Sequence, residues 1–146
     1  MPIRMASRFL HLNRKKREMM KLERNNTMNI HESAEDYLEQ ILMLLEKKGH
    51  ARSIDIANER NVSKPSVSIA MKKLRENGYI KMGMDNMISL TDKGYAIARK
   101  MYDRHQALTK YLLQLGVPEE IAKGDACKIE HDLSEESFAT ICSQIV

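Results

Sequence analysis

Cysteine is scarce in this 146-residue chain, which holds only Cys127 and Cys142. Two cysteines are too few for the disulfide framework of a small secreted domain, and they fit a reducing cytoplasm better. Long apolar runs are missing too. The longest, around Ile41 to Leu45, is broken at once by Glu46, Lys47 and Lys48. It falls far short of the roughly 20 apolar residues that span a bilayer, so a soluble protein with no membrane partner is expected. No internal repeat is evident. No general base, nucleophile and oxyanion-stabilising group can be assembled from the rest of the chain, so neither an enzyme nor a small-molecule substrate is expected. The length allows one compact domain, or a small module joined to a packing or dimerisation element.

Charge is unevenly placed. The net charge is +4, but residues 1–27 hold eight Lys/Arg against two Asp/Glu, so the remainder is mildly acidic. Within that remainder, residues 49–94 carry a surplus of three positive charges, while 28–48 and 95–146 carry negative surpluses of three and two. A basic middle between acidic flanks suits a nucleic-acid module beside carboxylate-rich helices. Residues 1–27 show neither helix caps nor turn chemistry. They are expected to be a disordered extension or to precede a natural start at Met28, with a basic arm on DNA or a targeting peptide as the competing readings.

From Ser33, an expected N-cap, the pattern turns helical, with Leu38, Ile41, Leu42 and Leu45 as its apolar face and Gly49 as its end. Ser53 is expected to cap a short second helix through Ile54, Ile56 and Ala57. Asn61 and Val62 make a turn. Ser63 then caps a third helix with Pro65 in its first turn and Val67, Ala70, Met71 and Leu74 on its buried side. The period shortens at Tyr79–Met82 and Met87–Leu90, which predicts two strands and a turn. Thr91 caps a long fourth helix, about Asp92 to Leu115, expected to bury Tyr95, Ile97, Ala98, Met101, Leu108, Tyr111 and Leu112. Pro118 opens a fifth helix reaching about His131, and Ser134 caps a sixth running to the chain end.

The fold class expected is mainly α: a winged helix-turn-helix followed by a helical dimerisation region. The winged unit occupies 51–94 within a DNA-binding domain of 28–94, and residues 95–146 form the metal-binding and dimerisation region. In a winged helix the second helix of the turn enters the major groove and the hairpin flanks the backbone. The expected DNA contacts are Ser63, Lys64, Pro65, Ser66, Ser68, Lys72 and Lys73 on that helix and Lys81 on the wing, with Asn86 at the hairpin tip. Hydroxyls and ammonium groups bond phosphates and base edges. Lys and Ser on a solvated helix face are also ordinary, and a module that binds only proteins is the alternative.

The strongest chemical signal is DACKIEHDLS, where Cys127, Glu130 and His131 fall at i, i+3 and i+4. On one helix they share a face. The first helix offers Asp36 and Glu39 at i and i+3, and the fourth offers His105. Thiolate, carboxylate and imidazole together suit Fe(II), Mn(II), Co(II) or Zn(II) better than Mg(II) or Ca(II). Each residue alone has an ordinary structural role, as a buried thiol, a helix-terminal charge or a surface pair. The combination on three helices is what points to a metal site.

From about Met28 onward the chain resembles the diphtheria-toxin-repressor and manganese-transport-regulator family of metal-dependent transcriptional repressors. The stretches that carry the resemblance are SAEDYLEQILMLLEKKG, VSKPSVSIAMKKLRENGYI, LTDKGYAIARKMYDRHQALTKYLLQLGV and ACKIEHDLS. The resemblance implies that Asp36, Glu39, His105, Cys127, Glu130 and His131 ligate an activating metal. It implies a cytoplasmic homodimer on a palindromic double-stranded operator, repressing metal-homeostasis genes. Asp36 is similar to the manganese-responding branch and Cys127 to the iron-responding one, so the site is a hybrid, with Fe(II) slightly ahead of Mn(II) and with Zn(II) or Co(II) able to substitute in vitro. Thr109 and Lys123 stand where the iron branch has the Glu and His of an ancillary site, which is therefore expected to be absent or rebuilt. One mixed-ligand site and a binuclear site bridged by Glu130 both remain open. The rival functions are a metal-independent winged helix and a metal enzyme built on Cys127 and His131.

Overall fold

The computed structural model describes residues 33–146, so the expectations for 1–27 fall outside the described residues. Six helices and one hairpin follow in order: α1 (33–48), α2 (Ser53–Arg60), α3 (Lys64–Glu76), β1 (Ile80–Met82), β2 (Ile88–Leu90), α4 (Asp92–Gln114), α5 (Glu119–Ile129) and α6 (Glu135–Ser143). This is the mainly helical, winged architecture expected. The strands are antiparallel, with Ile80 opposite Leu90 and Met82 opposite Ile88.

Capping chemistry sets most of the boundaries. Ser63, Thr91 and Ser134 each accept a hydrogen bond from a backbone N–H three residues on, at 3.3, 3.1 and 3.1 Å, which satisfies a donor that the first helical turn leaves free. Two caps differ from expectation. Ser33 is already helical, so it does not cap α1. The cap of α2 is Arg52 rather than Ser53, because the Asp55 carboxylate reaches back to accept from the Arg52 N–H at 3.0 Å. Asn61, with φ of 52°, closes α2 in the left-handed region that Asn tolerates, and so turns the chain directly into α3.

The core of the winged unit is built from one face of each element: Leu38, Ile41, Leu42 and Leu44 of α1, Ile56 and Ala57 of α2, Val67, Met71 and Leu74 of α3, with Ala51, Ile80, Ile88 and Ala98. Each large aliphatic side chain buried this way contributes on the order of 1.5–3 kcal/mol. Leu44, not Leu45, completes the α1 face. The wing is tied back twice. Ile88 N–H donates to the Ala51 carbonyl at 2.8 Å, and the Thr91 hydroxyl lies 2.7 Å from the Gly78 carbonyl and 3.0 Å from that of Tyr79.

Along α4 the buried stripe is Gly94, Ala98, Met101, Arg104 and Leu108. Tyr95, expected inside, is 48% exposed, because the stripe is rotated onto Gly94. There the helix meets the backbone of Tyr79 so closely that any Cβ would overlap its carbonyl. Ile97, Tyr111 and Leu112 are half-buried. The last helix stops at Ser143 rather than at the chain end. Among the described residues, no helix is long and apolar enough to cross a membrane.

Candidate metal centre and DNA-reading face

Three elements converge on Glu130. Its side chain is fully buried, with one carboxylate oxygen, Oε2, 3.0 Å from His105 Nδ1 of α4. The other, Oε1, is buried without a hydrogen-bond partner and lies 3.5 Å from His131 Nε2. Two donor groups share this residue: Asp36, Glu130 and His131, and Glu39, His105 and Glu130, each with its ligand atoms within 4.8 Å of one another.

His131 is held from both sides by α1. Its Nδ1 is 2.7 Å from Glu35 Oε2 and its Nε2 is 2.8 Å from Asp36 Oδ1. Burial works against a charged ring, but the hydrogen bonds to Asp36 and Glu35 outweigh it and push the pKa up to about 10. Glu39 shifts for the opposite reason. Burial, followed by the facing carboxylate of Glu130, pushes its pKa up to about 8. Near neutral pH the metal-free cluster therefore holds itself together with protons, one on Glu39 and one on each nitrogen of the His131 ring. A carboxylate oxygen buried without any donor is unfavourable by about 1–3 kcal/mol or more. Glu130 Oε1 has no partner unless a protonated Glu39 supplies one, and a divalent cation amid these oxygen and imidazole ligand atoms would satisfy it in place of that proton.

Cys127 stands apart from these groups. The fifth helix was expected to run to His131 and to present Cys127, Glu130 and His131 on one face, but α5 ends at Ile129, and Glu130 and His131 sit in the turn that follows. Glu130 itself keeps helical backbone angles and donates its N–H to the Ala126 carbonyl at 3.0 Å, yet the Cys127 thiol falls outside both donor groups. Residue 127 as a whole is exposed. Desolvation of its thiol and the charges of Glu130, Asp36 and Glu39 push its pKa up to about 11 in the metal-free protein; a coordinated cation would displace that proton. Thr109 has its hydroxyl buried without a hydrogen-bond partner, and Lys123 is paired with Glu119 at 2.7 Å.

Three supporting residues escaped the sequence reading. Glu35 lies in the first turn of α1, and only the fold shows it orienting His131. Arg60 of α2 lies 3.5 Å from Asp36 Oδ2 and 4.8 Å from the Tyr37 ring. Arg104 is almost fully buried, donating to the carbonyls of Glu130 and Leu133 at 2.9 and 2.8 Å and to Glu135 Oε1 at 2.9 Å. It fixes the turn that carries Glu130 and His131. A charged residue one place before His105 gives hydropathy no reason to expect burial.

On the other side of the winged unit, Ser63, Lys64, Pro65, Ser66, Ser68, Lys72 and Lys73 of the α3 segment and Lys81 of β1 are all exposed. Ser63 is committed to its cap and to a 2.7 Å contact with the Ser66 hydroxyl. Asn86 is exposed at the hairpin turn with φ of 60°. Between the serines and lysines of α3 projects Ile69, which the sequence pattern did not single out.

Two family models cover nearly the whole described region. One, "Iron dependent repressor, N-terminal DNA binding domain", matches residues 29–86, and the other, "Iron dependent repressor, metal binding and dimerisation domain", matches 91–145. Transcriptional regulator MntR of Escherichia coli O6:H1 is 40% identical over 107 residues, 73% of this chain and 69% of that protein. HTH-type transcriptional regulator MntR of Bacillus subtilis is 40% identical over 109 residues, 75% and 77% of the two chains. Among solved structures, a manganese-dependent transcriptional repressor in complex with manganese superposes with a TM-score of 0.70 at 29% identity, over 77% of this chain and 52% of that one. IdeR of T. acidophilum gives 0.67 at 28% identity, over 75% and 52%. The chain thus spans about half the length of these solved structures.

Proposed function

The chain belongs to the iron-dependent repressor family, the diphtheria-toxin-repressor and manganese-transport-regulator group, and from that premise we propose that it is a cytoplasmic, metal-activated repressor of metal-homeostasis genes. The observation that carries this reading is Glu130, shared by two donor groups and keeping one buried oxygen without a partner. Asp36, Glu39, His105, Glu130 and His131 would hold the cation, in one site or in two bridged by Glu130. Cys127 is a further donor only if its proton is lost. The remaining donors are oxygen and imidazole nitrogen, which suits Mn(II) and moves it ahead of the softer-ligand preference of Fe(II). Zn(II) and Co(II) could occupy the same donors in vitro.

A divalent cation held there supplies the positive charge that lets these carboxylates stand together without protons. Everything else is done by the chain. Asp36 and Glu39 belong to α1, His105 to α4, and Glu130 and His131 to the turn after α5. Whatever holds these side chains together therefore holds α1 against α4 and α5. The opposite face of α1 is the core on which Val67, Met71 and Leu74 of α3 rest, so the position of the reading helix follows that of α1. Without metal, α1 is tied to the turn after α5 only through protons on Glu39 and His131; a cation in their place would tie it more firmly and shift the equilibrium toward the DNA-competent arrangement. A decisive shift requires a preference of several kcal/mol, within reach of a multi-ligand site. Two copies, paired through the 91–145 region, would present two α3 helices to the half-sites of a palindromic operator.

The test is duplex binding by fluorescence anisotropy with Mn(II), with Fe(II) under anaerobic conditions, and with chelator. Binding is expected with metal and lost with chelator. Equal binding in both would leave a metal-independent winged helix and refute metal control.

A further inference from the structure

Ile69 occupies the middle of the outward face of α3 and is 60% exposed. Pro65 and Ser66 lie one turn before it on that face and Lys72 and Lys73 one turn after, all of them exposed. The core takes the opposite side of the helix through Val67, Met71 and Leu74, so Ile69 does not serve the fold. Helix propensity does not account for it either, since a β-branched residue is a poorer helix former than the lysines beside it. A large aliphatic group is held out to solvent within a ring of hydroxyl and ammonium groups.

The composition of that ring identifies the occupant. Lys64, Lys72 and Lys73 supply charge suited to a polyanion, whereas a purely apolar partner would leave them desolvated. An isoleucine at the centre has no hydrogen-bonding capacity, so it cannot read donors and acceptors on base edges. On the floor of the major groove the distinctive apolar group is the C5-methyl of thymine. Resting on the DNA-binding reading above, we propose that Ile69 is a specificity residue that recognises one thymine per half-site through its C5-methyl. Ser66, Ser68 and the lysines then act on phosphates and on neighbouring base edges. Because the contact senses a methyl group rather than Watson–Crick identity, 5-methylcytosine at that position replaces thymine better than cytosine does.

The experiment uses the full chain with Mn(II). Bound duplexes are selected from a random pool, and each thymine of the preferred site is then replaced by deoxyuridine, which removes only the methyl. One thymine per half-site is expected at which the replacement weakens binding by about fourfold, the worth of one buried methyl group. Ile69→Ala should bind more weakly while no longer distinguishing thymine from deoxyuridine there, and Ile69→Val should keep part of the distinction. An unchanged thermal shift with Mn(II) confirms that the variants are folded and loaded. Wild-type protein indifferent to every replacement, or Ile69→Ala retaining the full distinction, would overturn the assignment while leaving DNA binding intact. Failure of the loaded wild-type protein to retain any duplex would instead overturn the DNA-binding reading on which it rests.

Discussion

Glu130→Gln isolates the metal centre from the fold. The amide has nearly the volume of the carboxylate, so packing around this fully buried side chain is conserved, while the charge common to both donor groups is removed. In the metal-free protein the loss is small or favourable, because Glu130 is among the groups that hold Glu39 in its protonated form. With metal the effect is large. A cation present at about a hundred times its dissociation constant stabilises the native state by about 2.7 kcal/mol. For a chain of this size each kcal/mol shifts the midpoint by roughly 2–4 °C, so Mn(II) should raise the wild-type melting temperature by about 5–10 °C over EDTA. Weakening both groups tenfold or more takes away half of that stabilisation at least. Thermal unfolding followed by circular dichroism, with EDTA and with Mn(II), measures all four values. Wild-type-sized stabilisation of Glu130→Gln by Mn(II) would refute the role assigned to the shared carboxylate. A collapse of its melting temperature in EDTA would show that the charge is needed for folding instead.

Cys127→Ser should weaken Mn(II) binding far less than Glu130→Gln, by under about tenfold in calorimetry, because the thiol lies outside both donor groups; an equal loss would make the sulfur a principal ligand. Without metal, stability should fall as pH rises. The folded pKa of His131 is about 10 against an ordinary 6.5, and that of Glu39 about 8 against 4.5. Both groups bind more protons folded than unfolded, so the His131 contribution is complete below about pH 6.5 and lost through about 10, and that of Glu39 is complete below about 4.5 and lost through about 8. Urea midpoints in EDTA should therefore drop between about pH 6 and pH 9, and a rise would contradict the proton-filled cluster. Arg104→Met should destabilise by about 2–4 kcal/mol in urea, since the carbonyls of Glu130 and Leu133 lose their donor inside the protein; a change under about 0.5 kcal/mol would remove Arg104 from the support of the turn.

Local chemistry was legible in the order of residues. Ser63, Thr91 and Ser134 announce helices because a cap is a contact across three residues, and the shorter period at Ile80 and Ile88 announces the wing for the same reason. Five of the six metal-compatible residues were visible as i, i+3 and i+4 groupings, with His105 alone on its helix, and the apolar stripe of α3 could be read without knowing its neighbours. What the sequence hid lies between segments. His131 is bonded to Glu35 and Asp36 across 96 and 95 residues of chain, and nothing local distinguishes the carboxylate that orients its ring from the one that shares its donor group. Arg104 and Tyr95 exchange their expected surroundings, since the carbonyls awaiting an arginine belong to a turn 26 and 29 residues away. Cys127 keeps its helical spacing to Glu130 but falls outside both donor groups, an outcome that spacing alone does not reveal. Short-range spacing and capping thus determined the helices, the wing and the list of donors. Only the packing of α1, α4 and the turn after α5 decided which donors meet, since burial and charge pairing depend on distances through space that the chain order does not encode.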